Sequence, residues 1–135
     1  MSIEIKSLSN AAPTLDNSLP APNDPFNTIP GANVIYDLYT AANDSTTRKT
    51  AIVKSIRLVN ISGSAVTVNL YFNRPNASGQ YRRRQISPVD LSLLPGALYV
   101  DSDEITLEPG DRIQAKATAA NAIQYLISGV ERDVL

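Results

Sequence analysis

The sequence predicts an all-β protein, an antiparallel β-sandwich of jelly-roll or immunoglobulin-like type with about seven or eight strands. From residue 34 onward, short runs of apolar residues follow one another, and turn residues such as Gly, Pro, Asn and Asp separate them. No stretch has a convincing helical period. The length of 135 residues fits one domain with its tails.

The first 33 residues differ from the rest because they hold five of the nine prolines, at positions 13, 20, 22, 25 and 30. Proline fixes φ and has no N–H to donate to a sheet. We therefore expect an extended, irregular arm at 1–33 and the β-sandwich domain at 34–135. The arm is either a disordered tail or a segment that docks on a partner, in which case the contacts include Pro20, Pro22, Pro25 and Phe26.

The first half of the domain contains three strand-like runs. Residues 33–40 are rich in β-forming residues, and residues 50–60 form a long run whose apolar positions change parity, which predicts a bulge or burial on both faces. In residues 64–73, apolar and polar side chains alternate, so Val66, Val68, Leu70 and Phe72 should face the core. Gly63, between the last two runs, predicts a β-hairpin over 50–73.

The second half repeats this organisation with LSLLPGALYVD at 91–101, DEITLEPGD at 103–111 and two further runs. At 112–119, Ile113, Ala115, Ala117 and Ala119 alternate with polar residues, and this period of two favours a strand. Pro109 and Gly110 suit the central positions of a type II turn, in which the second residue needs a positive φ.

Composition restricts the chemistry that the protein can perform. The chain contains neither cysteine nor histidine, so thiolate nucleophiles, the Ser-His-Asp relay and most zinc or iron sites are excluded. No glycine-rich phosphate loop is present. We therefore expect a protein that is not an enzyme and has no cofactor.

Charge and hydropathy restrict the partners. Twelve basic and thirteen acidic residues leave a formal net charge of −1. The chain therefore has no overall positive potential that would attract nucleic acid or anionic lipid. No run approaches the roughly 20 apolar residues of a membrane-spanning helix. We expect neither a nucleic-acid partner nor a membrane partner.

Two charged clusters are candidate sites. Asp101, Asp103 and Glu104 could offer oxygen ligands to calcium, although they lack the spacing of an EF-hand loop, and a solvated acidic loop is the alternative. In YRRRQ, a strand would direct Arg83 to one face and Arg82 and Arg84 to the other. Adjacent arginines suit edge protection or contacts with the carboxylates of a neighbouring subunit.

Residues 49–72, KTAIVKSIRLVNISGSAVTVNLYF, and residues 93–131, LLPGALYVDSDEITLEPGDRIQAKATAANAIQYLISGVE, together resemble the small β-sandwich structural proteins of tailed bacteriophages. The resemblance implies a virion component without enzymatic activity, assembled in the bacterial cytoplasm. It would decorate or cement the capsid, or belong to the tail, with the major capsid protein or tail proteins as partners. The shared positions are turns and core, so no catalytic residue is implied.

Two further expectations concern assembly and the alternatives. A domain of this size has a modest core, so we expect a homo-oligomer, with a trimer favoured. One alternative is a baseplate or fibre-associated tail component whose loops at 41–49 or 74–80 bind host-surface carbohydrate. Another is a carbohydrate-processing enzyme, which needs two carboxylates on facing strands, whereas most carboxylates here lie beside predicted turns.

Overall fold

The computed structural model describes residues 3–8, 14–15, 27–75 and 81–134. These residues form eleven strands: β1 (Ile3–Ser7), β2 (Thr14–Leu15), β3 (Ile35–Thr40), β4 (Lys49–Asn60), β5 (Val66–Pro75), β6 (Tyr81–Gln85), β7 (Leu91–Leu93), β8 (Leu98–Asp101), β9 (Ile105–Leu107), β10 (Arg112–Ala117) and β11 (Ile123–Asp133). Their number exceeds the expected seven or eight because the second half is divided into short strands and the N-terminal segment contributes β1 and β2. The described residues include no helix with the length and hydropathy that a membrane span requires.

The strands form two antiparallel sheets, which confirms the predicted β-sandwich. Sheet A has the order β1-β11-β4-β8, with β9 also paired to β4. Sheet B has the order β2-β3-β10-β5-β6, with β7 also paired to β5. Each sheet therefore contains strands from both halves of the sequence.

The core lies between the sheets and follows the alternation of the strands. Val66, Val68 and Leu70 of β5 are at most 1% exposed, as their parity predicts, while Phe72 is only partly buried. On β10, Ile113, Ala115 and Ala117 are fully buried. The largest fully buried side chains include Ile56, Leu58, Ile123 and Ile127 of sheet A, which fill the core together with the small side chains of β10.

The parity change in β4 is caused by a β-bulge, which confirms that prediction. The register of β4 against β11 shifts between Ser128 and Gly129, so that Val53 and Ile56 both face the core. A Cβ atom at Gly129 would collide with the backbone carbonyl oxygen of Ile52, so the bulge requires glycine at this position.

The hairpin expected over 50–73 is wrong. β4 pairs with β11, β8 and β9 in sheet A, whereas β5 pairs with β10, β6 and β7 in sheet B. The connection from Ile61 to Ala65 therefore crosses from one sheet to the other. Asn60 organises this crossing, because its side-chain amide donates to the carbonyl oxygens of Ser64 and Leu93 at 2.7 and 2.8 Å.

Parts of the N-terminal segment pair with the sandwich. β1 lies beside β11, and β2 lies beside β3. Leu8 and Ile29 are 6% and 0% exposed and belong to the core. The division into an arm at 1–33 and a domain at 34–135 stays a prediction, but these two residues on the arm side contribute to the packing of the domain.

Candidate interaction site

The outer face of sheet B carries a cluster of buried polar side chains. Ile113 and Ala115 point inward, so Gln114 between them points outward. Gln114 and Asn73 are nevertheless fully buried, and Asp37 is 6% exposed. Sequence reasoning missed this cluster; its one signal was an aspartate in the middle of the apolar run of β3.

Hydrogen bonds join the cluster across four strands. The Gln114 side chain donates to Asp37 at 2.7 Å, and its Oε1 accepts from Asn73 at 3.1 Å and from Arg83 at 3.0 Å. Arg112 completes the arrangement by donating to the second oxygen of Asp37 at 2.9 Å. Polar groups that are buried and bonded in this way hold β3, β10, β5 and β6 in one register.

The three consecutive arginines lie on β6, which is the edge strand of sheet B on the path β2-β3-β10-β5-β6. Arg83 turns toward the polar cluster, and its guanidinium lies 5.5 Å from the centre of the Tyr71 ring. All three arginines are exposed, but Arg82 and Arg84 have the opposite parity. The structure thus separates Arg83 from the other two, as the strand parity predicts, and their contacts with a partner stay a prediction.

The EPGD motif forms a corner beside this edge. Gly110 has a φ of +91°, as a type II turn needs, and the Asp111 N–H donates to the Glu108 carbonyl at 2.9 Å. The Asp111 carboxylate accepts from the Glu108 N–H at 2.8 Å and from two nitrogens of Arg74 at 2.7–3.1 Å. These hydrogen bonds from Arg74 to Asp111 raise the pKa of the guanidinium. The corner therefore anchors β10 to β5 through an ion pair.

The acidic cluster after β8 is not arranged as a metal site. Glu104 pairs with Lys54 at 2.6 Å, and Asp101 accepts the backbone N–H of Asp103 at 3.0 Å. Within the part of the chain that the structure describes, no three acidic side chains are grouped so as to hold a metal ion. This placement gives the calcium hypothesis no support.

Two acidic residues border one shallow hollow on the outer face of sheet A. The hollow has a volume of about 380 Å³, and Glu108 and Glu131 are among its lining residues. Glu131 is only 7% exposed, and its Oε2 accepts a hydrogen bond from the Tyr39 hydroxyl inside the sandwich. Because Glu131 is engaged toward the core, the two carboxylates do not present the open pair that glycoside hydrolysis requires.

Most of the remaining contact candidates lie outside the described residues. Pro20, Pro22, Pro25 and Phe26 fall outside the described residues, as does most of the loop at 74–80. The loop at 41–49 is described and is closed by a bridge between Asn43 and Arg48.

Comparison with known proteins gives a likeness of fold. No protein-family model and no curated protein matches the chain. A chain of the T13 infectious bursal disease virus particle matches with a TM-score of 0.53 at 7% identity, over 96% of this chain and 30% of that chain. A chain of the Gx strain of the same virus matches with a TM-score of 0.50 at 12% identity, over 97% and 32%.

These likenesses show that the sandwich resembles part of a viral protein. This chain spans about a third of the length of the viral chains it matches. The CBM22-1 xylan-binding domain from Paenibacillus barcinonensis Xyn10C matches with a TM-score of 0.42 at 14% identity, over 98% of this chain and 82% of that chain.

Proposed function

We propose that the protein is a non-enzymatic structural component of a bacteriophage virion that decorates or cements the capsid. The observation that carries the proposal is the likeness of fold to chains of viral particles over nearly the whole of this chain. The resemblance of residues 49–72 and 93–131 to structural proteins of tailed phages supports the same role.

The chemistry of the described residues supports a structural role. Buried polar groups of sheet B bond to one another, and the buried carboxylates Asp111 and Glu131 each accept a hydrogen bond from the protein. Polar groups that are buried and hydrogen-bonded in this way hold a scaffold together but are poorly placed to activate a substrate. We propose that the protein has no hydrolytic activity, and incubation with a panel of capsular and cell-wall polysaccharides checks this directly.

The partners that we propose are the major capsid protein and further copies of this chain. Arg82 and Arg84 project from an edge strand, and no ion pair engages either of them within the described residues. Arginine side chains in this position suit carboxylates of a neighbouring protein. The N-terminal arm, through Pro20, Pro22, Pro25 and Phe26, is the second proposed contact.

Binding to particles tests this role. Purified protein is added to virions that lack it, and bound protein is measured after sedimentation. We expect saturable binding at a fixed number of copies per particle. The double variant Arg82→Gln/Arg84→Gln should bind more weakly at low salt and approach the wild type as salt screens the charges. Arg132→Gln, which removes an exposed charge from sheet A, is the matched control and should bind normally.

The arm needs its own variant. Replacing Pro20, Pro22 and Pro25 with Ala and Phe26 with Ser keeps the core residues Leu8 and Ile29 and changes the four residues of the proposed contact. Binding should fall while the melting temperature stays close to that of the wild type. Binding equal to that of the wild type would show that these residues of the arm do not contact the particle. Binding to host cells instead of capsids would favour a tail component.

A further inference from the structure

The edge of sheet A at β8 combines exposed apolar side chains with an open strand. Leu98 and Val100 are 50% and 47% exposed. β8 pairs with β4 on one side, and within the described residues no strand lies on its other side. An apolar edge strand of this kind is a ready template for pairing with another chain.

The backbone N–H and C=O groups of β8 that do not bond to β4 belong to the same two residues, Leu98 and Val100. The Asn60 N–H donates to the Ala97 carbonyl at 3.1 Å. Bonded and non-bonded pairs alternate along an antiparallel ladder, so Tyr99 and Asp101 are the residues of β8 that bond to β4. Leu98 and Val100 therefore direct their N–H and C=O groups away from β4, toward the open side.

Sheet B protects its β6 edge with charged side chains. β6 carries Arg82, Arg83 and Arg84, and charged side chains discourage the approach of another strand. β8 has only Asp101, at its end, as a charged residue. The β8 edge is therefore the better candidate for pairing with another strand.

We propose that β8 pairs in antiparallel fashion with β8 of a second copy of this chain, with Tyr99 on the twofold axis. In this register Leu98 lies opposite Val100 of the second copy, and Val100 lies opposite its Leu98. Each of these two pairs exchanges two backbone hydrogen bonds, so the contact forms four hydrogen bonds. The two sheets A become one continuous sheet.

The side chains also fit this register. On the outer face, Leu126 and Val100 flank Arg57 in one row, and Val59 and Leu98 are neighbours in the next row. Twofold pairing sets the Val100 of each copy beside the Leu98 of the other, so the apolar rows run on across the axis. On the inner face, the two Tyr99 rings become a cross-strand aromatic pair.

A second copy suits this edge for two reasons. The register is self-complementary, because each residue of the pair Leu98 and Val100 finds the other across the axis. Charge does not oppose it, since the net charge per chain is −1 and antiparallel pairing sets Asp101 opposite Ala97 rather than opposite another Asp101. The inference does not depend on the virion role, and a twofold contact can join single chains or preformed rings.

Engineered cysteines test the register, because the native chain has none. Bonded antiparallel partners have Cα atoms about 5.5 Å apart, within the range of a disulfide. The same residue of two copies would be roughly 8 Å apart, which exceeds that range. A mixture of Leu98→Cys and Val100→Cys proteins should therefore cross-link under mild oxidation.

Each cysteine variant alone, and Val89→Cys in the loop before β7, should form few cross-links. Cross-linking of Leu98→Cys alone that is as fast as in the mixture would overturn the proposed register. Absence of cross-linking in every sample at the highest soluble concentration would overturn the interface.

A second measurement follows association without cysteine. Light-scattering mass is measured over a concentration series for the wild type, Val100→Lys and Val89→Lys. The wild-type mass should double as concentration rises, and Val100→Lys should raise the dissociation constant about tenfold or more, because a lysine next to the axis removes an apolar contact and adds like charges. Val89, 72% exposed, is the matched control and should associate like the wild type. A mass that stays constant for all three, or an equal effect of both lysines, would contradict the proposal.

Discussion

The hydroxyl of Tyr39 donates a hydrogen bond of 2.8 Å to Oε2 of Glu131, and this bond crosses the interior of the sandwich. Tyr39 belongs to β3 of sheet B, and Glu131 belongs to β11 of sheet A. The two residues are 9% and 7% exposed. Because one end of the bond is a buried carboxylate, it should contribute more than an ordinary hydrogen bond to holding the sheets together.

Removing this donor should destabilise the protein. Tyr39→Phe keeps the ring and deletes only the hydroxyl, and hydrogen bonds to charged groups contribute about 1.5–3 kcal/mol. We expect a loss of that size in the free energy of unfolding, measured by urea denaturation. Tyr71→Phe is the matched control, since the Tyr71 ring packs under Arg83; it should change the free energy by less than about 0.5 kcal/mol. Equal effects of the two substitutions would contradict a special role for Tyr39.

The same pair predicts a dependence of stability on alkaline pH. Burial, followed by the hydrogen bond to Glu131, raises the pKa of Tyr39 well above its ordinary value of 10.0. Below that pH, Tyr39 is protonated in both folded and unfolded chains, and its contribution is complete. As pH rises above 10, the unfolded chain loses the proton first, so the free energy of unfolding should fall.

Tyr39→Phe should show a shallower decline over this range. Urea denaturation of both proteins between about pH 8 and pH 11 measures the difference. Parallel curves for the two proteins would show that Tyr39 does not titrate in this way.

The corner at Gly110 should tolerate no side chain. Gly110 has a φ of +91°, and the side-chain nitrogen of Asn43 lies 3.3 Å from the position that a Cβ atom would take, so Gly110→Ala is both strained and crowded. We expect a loss of about 1–2 kcal/mol in the free energy of unfolding. Gly63→Ala is the control, because nothing lies within 4 Å of its Cβ position; it should be neutral or slightly stabilising. A neutral Gly110→Ala would argue against the assigned turn.

Substitutions of Arg83 and Arg84 on β6 should differ in their effect on the free energy of unfolding. Arg83→Gln removes both the hydrogen bond to Gln114 and the contact with Tyr71, so we expect a decrease of about 1–2 kcal/mol in the free energy of unfolding. Arg84→Gln removes an exposed charge and should change it by less than about 0.5 kcal/mol. Thermal denaturation of the two variants measures this difference, and a larger loss for Arg84→Gln would contradict the assigned parity.

The sequence predicts the fold well where side chains alternate. The parity of Val66, Val68 and Leu70, the change of parity in β4 and the turn at Gly110 are all local signals, and the structure bears them out. The pairing between strands is not a local signal and is not predicted in the same way. The connection after Asn60 looks like a hairpin turn in sequence, but it joins two sheets because β11, far along the chain, is the partner of β4.

The polar cluster and the open edge could not be read from the sequence for a similar reason. Asp37, Asn73 and Gln114 lie on three strands, and only the register of sheet B brings them together. Leu98 and Val100 look like ordinary core residues until β8 is seen to end sheet A. The sequence shows three consecutive arginines on β6. It does not show that Arg83 bonds to the polar cluster, because that contact depends on Gln114 and Tyr71 of other strands.

The most direct test of the proposed structural role is the protein content of virions purified from infected cells that produce this chain. Quantitative mass spectrometry of particles separated on a density gradient gives the copy number relative to the major capsid protein. We expect this protein to stay with the particles at a constant ratio through repeated purification. Its absence from particles, with the protein recovered only in the soluble fraction of infected cells, would contradict a structural role in the virion.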